Sequence, residues 1–312
     1  MSRILRSMLY IPANSWRMIT RAVSEAEDAV ILDLEDAVPI GEKETSRIFA
    51  RESIPMFNDA EIDVFVRVNS MGTGLTEEDI SYVVIKGLDG IMLPKTETKK
   101  DVVRLEQLLG EEEERKGLEP NSIDILPLVE SPKGVQNIFD IVSASSRMVG
   151  VSFGALDFLR EMGVGFAITR LSFEEYYPLI LYARSRISQA AKIAGIEAID
   201  TPFFGLLIDI EGLIEESEKV KLLGFTGKQL IHPRHVEPVN RIFAHSEEDV
   251  NYAKSIVAAY EEAKAKGLGA ASFGGRMIDY ATYRTGMDMI SKAEIIAKKA
   301  AVRREKVTMR GK

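Results

Sequence analysis

The 312-residue chain contains no cysteine, which excludes disulfides, a thiolate nucleophile and zinc–sulfur centres, so any metal must be held through oxygen or imidazole. Histidine is nearly as scarce, at three residues, and carboxylates become the expected ligands. No apolar run is long enough to cross a bilayer. Met1-Ser2-Arg3-Ile4-Leu5-Arg6-Ser7 leads straight into a strand-like stretch rather than a signal peptide, so the expected location is the cytoplasm. Positive charge is also short: 40 Lys and Arg stand against 48 Asp and Glu, a formal net charge of −8. This balance disfavours nucleic acid and anionic membrane as partners, while allowing a local basic pocket around a phosphorylated ligand. The run Glu111-Glu112-Glu113-Glu114 reads as the solvated end of a helix.

What is present is apolar residue in quantity and in order. At 46% hydrophobic the chain can bury a core that suits one large α/β barrel or two ordinary domains. Eight runs rich in Val, Ile and Leu read as strands: Met8 to Pro12, Val30 to Leu34, Val64 to Val68, Gly90 to Pro94, Ile123 to Val129, Met148 to Phe153, Glu197 to Thr201 and Gly224 to Ile231. Amphipathic stretches separate them, among them Arg17 to Glu27, Asp101 to Leu109 and Tyr177 to Ala194. Alternation of this kind predicts parallel βα units, and eight of them fit one closed (β/α)8 barrel of the TIM type. Beyond the eighth strand lie Pro238 to Phe243, a helix from about Glu247 to Lys266, the glycine-rich segment Gly267 to Gly275, and a helix from about Tyr283 into a basic tail. The division expected is a barrel domain over 1–245 and a helical arm or lid over 246–312, with the tail from Arg303 disordered. The glycine-rich segment reads either as a hinge for that arm or as a helix C-cap and plain surface loop.

In a parallel barrel, catalytic groups sit at the C-terminal ends of strands. Here those ends carry Asp33-Leu34-Glu35-Asp36, Arg67 with Asn69, Pro94-Lys95, Glu130-Ser131-Pro132 and Gly154-Ala155-Leu156-Asp157. Glu130 and Asp157 each follow an almost unbroken apolar run. Mg2+ takes oxygen ligands and often only one or two carboxylates, with water and substrate completing its shell. The competing reading makes each acid a helix cap. A period-two reading of Val64 to Asn69 puts the valines on one face and Phe65, Arg67 and Asn69 on the other. Arg67 then either meets a carboxylate or enolate oxygen in the barrel mouth, or forms a structural ion pair with Asp33 or Glu35. His232, before Pro233, reads as an acid/base or as a hydrogen-bonded structural histidine. Gly72-Thr73-Gly74 is a weak phosphate signal.

Seven segments occur together in order: Tyr10-Ile11-Pro12-Ala13-Asn14-Ser15, Leu32 to Val38, Phe65 to Ser70, Leu93-Pro94-Lys95, Glu130 to Gly134, Phe153 to Phe158 and Gly275-Arg276-Met277-Ile278-Asp279. By these the chain resembles the citrate lyase β-subunit and malyl-CoA lyase family of the HpcH/HpaI aldolase superfamily, from about Arg6 to Ala297. The resemblance implies a Mg2+-dependent carbon–carbon lyase that cleaves a 3-hydroxyacyl thioester of the malyl-, citramalyl- or citryl-CoA kind into an acyl-CoA and a 2-oxo acid. It implies Glu130 and Asp157 as metal ligands, and Arg67 as the group that binds substrate and stabilises the thioester enolate. Glu35 and Asp36 would orient metal-bound water and Arg67, and Arg17 and Arg21 would meet coenzyme A. Asp279 would transfer the proton from the C-terminal arm of a neighbouring subunit in a homo-oligomer, trimer or hexamer. Tyr280 and Ala281 replace the Gly-Pro or similar pair often seen after that aspartate, which bears on substrate choice and arm closure more than on reaction class. Open alternatives are a citrate lyase β-subunit acting on an acyl-carrier-protein thioester, a variant that also hydrolyses the thioester, a non-catalytic acyl-CoA-binding barrel, and a class II pyruvate aldolase.

Overall fold

Eight parallel strands close into a barrel in chain order: β1 Ser7–Pro12, β2 Ala29–Asp33, β3 Asp63–Arg67, β4 Gly90–Leu93, β5 Asp124–Val129, β6 Gly150–Phe153, β7 Glu197–Asp200 and β8 Gly227–Leu230. The structure, a computed structural model, describes residues 3–26, 28–164 and 170–310. Each strand falls within the run that predicted it or begins one residue earlier. Glu27, the expected end of the first amphipathic stretch, lies outside the described residues. Among those described, no helix is long and apolar enough to cross a membrane.

The alternation along β3 sorts its side chains as the period-two reading requires. Val64, Val66 and Val68 join the large core between the strands and helix residues such as Ile19, Ile54 and Leu105. Phe65 instead packs with Met8, Ile31, Met92, Leu126 and Ile199, contributed by other strands, in the cluster that fills the barrel interior. Closure depends on a close approach: a Cβ at Gly227 would lie 1.9 Å from the Leu5 carbonyl oxygen. With glycine there, β8 pairs with β1 through Ser7 with Lys228, Met8 with Gln229 and Leu9 with Leu230.

Between the barrel wall and two helices lies a buried ionic cluster that no local pattern announces. Lys228 of β8 bonds Asp200 of β7 at 2.6 Å and Glu216 of the helix Ile210–Leu222 at 2.7 Å. Arg184, from the helix Phe173–Ala194, forks onto Asp200 at 2.9 Å through both Nε and Nη2 and reaches Glu216 at 2.9 Å. All four side chains are shielded from solvent, and the Tyr176 hydroxyl donates to Glu216. Two cations against two carboxylates leave no net charge to desolvate alone.

The acidic run at Glu111 to Glu114 corrects the expectation of a solvated helix end. Glu113 is buried, accepts both Arg147 Nη atoms at 2.6 and 2.7 Å, and takes the backbone N–H groups of Asn121 and Ile123 at 3.0 Å. It continues the inward row of Leu105 and Leu109 at helical spacing, so its carboxylate is anchored by tertiary partners that a charge count does not show.

The chain divides by internal contacts into two units, 1–243 and 244–312. The second contains the helix Glu247–Ala265, a hairpin of β9 Ala271–Phe273 and β10 Arg276–Ile278, and the helix Tyr280–Arg310. The glycine-rich segment is thus largely a hairpin: Phe273 pairs with Arg276, and Gly274 and Gly275, at φ 56° and 76°, supply the two left-handed residues of a tight primed turn. The hairpin packs Ile278 against Ile256 and Tyr260. The last helix also corrects the disordered tail expected from Arg303, since it continues to Arg310; the final two residues lie outside the described ones.

Replacing Lys228 by methionine leaves two buried carboxylates to one guanidinium. The expected loss, by urea denaturation, is about 3–5 kcal/mol; unchanged stability would show that the cluster carries no such weight.

Candidate active site

At the C-terminal mouth of the barrel, register alone brings Arg67 beside Asp33, the last residues of neighbouring strands. The guanidinium forks onto that carboxylate, Nε to Oδ1 at 2.7 Å and Nη2 to Oδ2 at 2.6 Å. Asp33 also accepts the backbone N–H of Glu35 at 2.9 Å and of Ala37 at 3.2 Å, so the turn after β2 is folded around it. Arg67 lies 4.8 Å from the ring centroid of Tyr10, whose hydroxyl donates to Gln229 Oε1 at 2.8 Å. Arg67 Nη1, outside the fork, is 3.3 Å from Glu35 Oε2. The ion-pair reading of Arg67 therefore holds, and the same side chain still lines a cavity of about 700 Å³.

Glu130 and Asp157 line that cavity too. Glu130 is 4% exposed and is not a helix cap: Ser131 is, its hydroxyl accepting from Gly134 N–H at 3.0 Å ahead of Pro132. Among the described residues its hydrogen-bond donor is the backbone N–H of Lys95, at 2.8 Å. Gly154 makes its position possible, because a Cβ there would fall 2.6 Å from Glu130 Cβ and 2.7 Å from its Oε2. Asp157 sits in the first turn of the helix Ala155–Glu161 and pairs with Arg160 at 2.7 Å. For this residue the helix-terminus reading and the cavity reading coincide.

Charged groups crowd the mouth. Asp33, Glu35, Glu130 and Asp157 gather around Arg67 and Lys95. Burial first, then the repulsion of Glu35 and Asp157, pushes the Glu130 carboxyl up to about 8. Burial likewise raises Glu35, against the pull of Arg67 and Lys95, and its Oε2 has no hydrogen-bond partner. A buried carboxylate with one N–H donor, repelled by others across a cavity, fits a hard divalent cation. Among the described residues no three acidic or histidine side chains form a closed metal cage; the two carboxylates that line the cavity, Glu130 and Asp157, are a number that a magnesium ion commonly takes alongside water and substrate.

The remaining candidates are placed as follows. Glu35 meets Arg67, whereas Asp36 is 61% exposed with its carboxylate 3.9 Å from Lys95 Nζ. Arg17 and Arg21 lie on the helix Trp16–Glu25; both are exposed, Arg21 pairs with Glu25 at 2.7 Å, and of this helix it is Met18 that lines the cavity. Asp279 belongs to the C-terminal unit, where it caps the helix Tyr280–Arg310 by accepting the Thr282 N–H and hydroxyl, each at 2.8 Å. Those bonds, the backbone one first, lower its pKa. His232 takes its structural role, Nδ1 accepting from Arg234 N–H at 3.1 Å.

Sequence reasoning missed three features. Tyr10 stands in the sequence only as part of a motif, yet its ring lies against Arg67. Lys43 is buried and donates to the Leu34 and Glu35 carbonyls at 2.5 and 2.7 Å and to Asn69 Oδ1 at 2.8 Å, fixing the acidic turn from behind. Phe203, Phe204, Leu206 and Leu207 form an apolar cavity wall after β7; its signal was an apolar run where a loop should be polar.

A family model described as HpcH/HpaI aldolase/citrate lyase matches residues 6–233. The chain belongs to this aldolase and citrate lyase family. Among relatives of this HpcH/HpaI member, the citrate lyase subunit beta of Leuconostoc mesenteroides subsp. cremoris is 36% identical over 280 residues, 89% of each chain. The mitochondrial citramalyl-CoA lyase of Homo sapiens is 30% identical, over 94% of this chain and 87% of that one. A crystal structure of CitE from Mycobacterium tuberculosis in complex with magnesium, acetoacetate and coenzyme A superposes with a TM-score of 0.70 at 27% identity, covering 93% of this chain and 98% of that one.

Because the Glu130 pKa is raised on folding, the stability it contributes is full below the ordinary carboxylate range and is lost as pH rises through about 8. In EDTA, the melting temperature of the wild type should fall more steeply than that of Glu130→Gln between about pH 5 and about pH 8. Parallel curves would refute the shift.

Proposed function

We propose that this family member is a Mg2+-dependent carbon–carbon lyase that cleaves a 3-hydroxyacyl-CoA thioester to an acyl-CoA and a 2-oxo acid. The observation that carries the proposal is the uncapped, buried Glu130 sharing one cavity with Asp157 and with the forked guanidinium of Arg67. Glu130 and Asp157 are assigned as the metal ligands; a divalent ion held there supplies Lewis acidity and a template for the oxo-acid half.

Arg67 is assigned to the thioester oxygen on which negative charge develops. Asp33 and Tyr10 hold the guanidinium before the reaction begins, so its charge is oriented without reorganisation in the transition state. Glu35 steadies its far nitrogen. The apolar wall of Phe203, Phe204 and Leu207 excludes water and strengthens these interactions. Cleavage leaves a carbanionic acyl thioester that must gain a proton, and we assign that transfer to Asp279 from the C-terminal unit of a neighbouring copy. In cleavage the 3-hydroxyl gives up its proton as the C2–C3 bond breaks and the α-carbon of the enolate takes one, so Asp279 must enter that step protonated; in the condensation direction it is the carboxylate that takes the α-proton, the state that its hydrogen bonds to Thr282 favour. In this reading residues 1–245 are the catalytic barrel and 246–312 the arm, the enzyme is a cytoplasmic homo-oligomer, trimeric or hexameric, and Arg17 and Arg21 face coenzyme A.

A second reading, an acyl-carrier-protein thioester as substrate, draws support from the higher identity to a citrate lyase β-subunit, 36% against 30% for the citramalyl-CoA enzyme.

Release of the oxo product from malyl-, citramalyl- and citryl-CoA, each with Mg2+ and with EDTA, should show metal-dependent cleavage of at least one. Silence on all three together with turnover of a carrier-protein thioester would favour the second reading; silence on every thioester would overturn both. Glu130→Gln and Asp157→Asn should lower turnover by more than about 100-fold with melting temperatures within a few degrees of wild type. Collapse of folding would return these residues to a structural role. Asp279→Asn should abolish exchange of the acyl-CoA α-proton with solvent while sparing Mg2+ affinity, and full exchange in that variant would remove Asp279 from the mechanism.

A further inference from the structure

Among the described residues three non-glycine positions adopt positive φ: Glu61, Lys95 and Asn121. Glu61 and Asn121 lie in turns that enter β3 and β5. Lys95, at φ 52°, follows the exit of β4 at the barrel mouth. Glycine adopts this conformation with less strain than any L side chain, and a strained residue beside a site is a reason to ask what its side chain does there.

The conformation gives Lys95 two reaches. Pro94 has no N–H, and the Lys95 N–H that follows turns into the mouth to meet Glu130 Oε1 at 2.8 Å. Its ammonium lies 2.7 Å from Glu35 Oε1. The chain then rejoins the barrel, Thr96 donating its N–H to the Leu128 carbonyl at 3.2 Å and its hydroxyl to the Leu93 carbonyl at 2.9 Å. One residue thus holds Glu130 by its backbone and Glu35 by its side chain.

Glu35 is 5% exposed, and the cations at its carboxylate are Lys95 and, at 3.3 Å, Arg67. Arg67 is meanwhile forked onto Asp33. Without the lysine, a buried carboxylate would face Arg67 alone and compete with Asp33 for it, or become protonated. Either change alters where the guanidinium points and how much positive charge it presents to the cavity.

We propose that Lys95 is a positioning residue of the active site, which neutralises Glu35 so that Arg67 stays forked on Asp33 and aimed at the substrate oxygen. The proposal rests on the assignment of Arg67 and Glu130 made above. Its backbone bond to Glu130 survives any side-chain substitution except proline, so side-chain variants isolate the ammonium.

Lys95→Met should lower kcat for thioester cleavage by about 10–100-fold, the range typical of groups that orient residues of a metal site. KM and the calorimetric Mg2+ affinity should each stay within about 3-fold. Lys95→Arg, which also reaches Glu35 with a cation, should recover most of the loss. Lys95→Gly should be as impaired as Lys95→Met, yet melt higher than Lys95→Met without metal, because both lose the ammonium but glycine relieves the left-handed backbone. In a Glu35→Gln background the Lys95→Met change should have no further effect. Wild-type kcat in Lys95→Met, an undiminished effect in the Glu35→Gln background, or impairment that merely tracks a fallen melting temperature would each overturn the role of Lys95 alone. A wild-type protein that neither binds Mg2+ nor cleaves any thioester would overturn the proposed function and this role with it.

Discussion

Closure of β8 onto β1 is the constraint on which the rest of the molecule depends. It requires the Leu5 carbonyl to lie where a side chain at Gly227 would begin. Once closed, eight strands running the same way deliver their C-terminal ends to one rim. Asp33, Arg67, Lys95, Glu130 and Asp157, far apart in sequence, then meet because each stands at or just past the end of a strand. The interior below them is filled by Met8, Ile31, Phe65, Met92 and Leu126, so the polar groups are held at the mouth and the barrel has no through-channel for them to enter.

Two buried charge clusters show how the same fold uses ions in opposite ways. Behind β7 and β8, Arg184 and Lys228 balance Asp200 and Glu216, with every long side chain shielded from water. Balance there means that nothing more is needed, and the cluster ties helices to the barrel wall. At the mouth burial raises Glu130 and Glu35, and for Glu130 the nearby Glu35 and Asp157 carboxylates add to it.

Arg67 links the two themes. It is a structural partner of Asp33 and a cavity residue together, so its ion pair and its chemistry are one arrangement. Tyr10 below, Glu35 beside and Lys43 behind the acidic turn leave the guanidinium little freedom. Preorganisation of this kind is where an enzyme gains most from a fixed charge.

The sequence by itself determined the strands, their parallel order and the identity of the residues at their ends, because period-two alternation and strand–helix spacing are local properties of the chain. It also identified Arg67, Glu130 and Asp157 as the chemical candidates, and the family resemblance followed from the same segments. Only the tertiary structure decided which carboxylates meet. It separated Glu35, pressed against Arg67, from its neighbour Asp36 in solvent; it gave the capping duty to Ser131 and so released Glu130; and it buried Glu113, which the acidic run had placed in water. It also turned the glycine-rich segment into a hairpin and recruited Tyr10, Lys43, Lys95 and the apolar wall after β7. The physical reason is common to all of them. Burial and partnership depend on groups brought together by barrel closure across many residues of chain, and neither periodicity nor charge count carries that information.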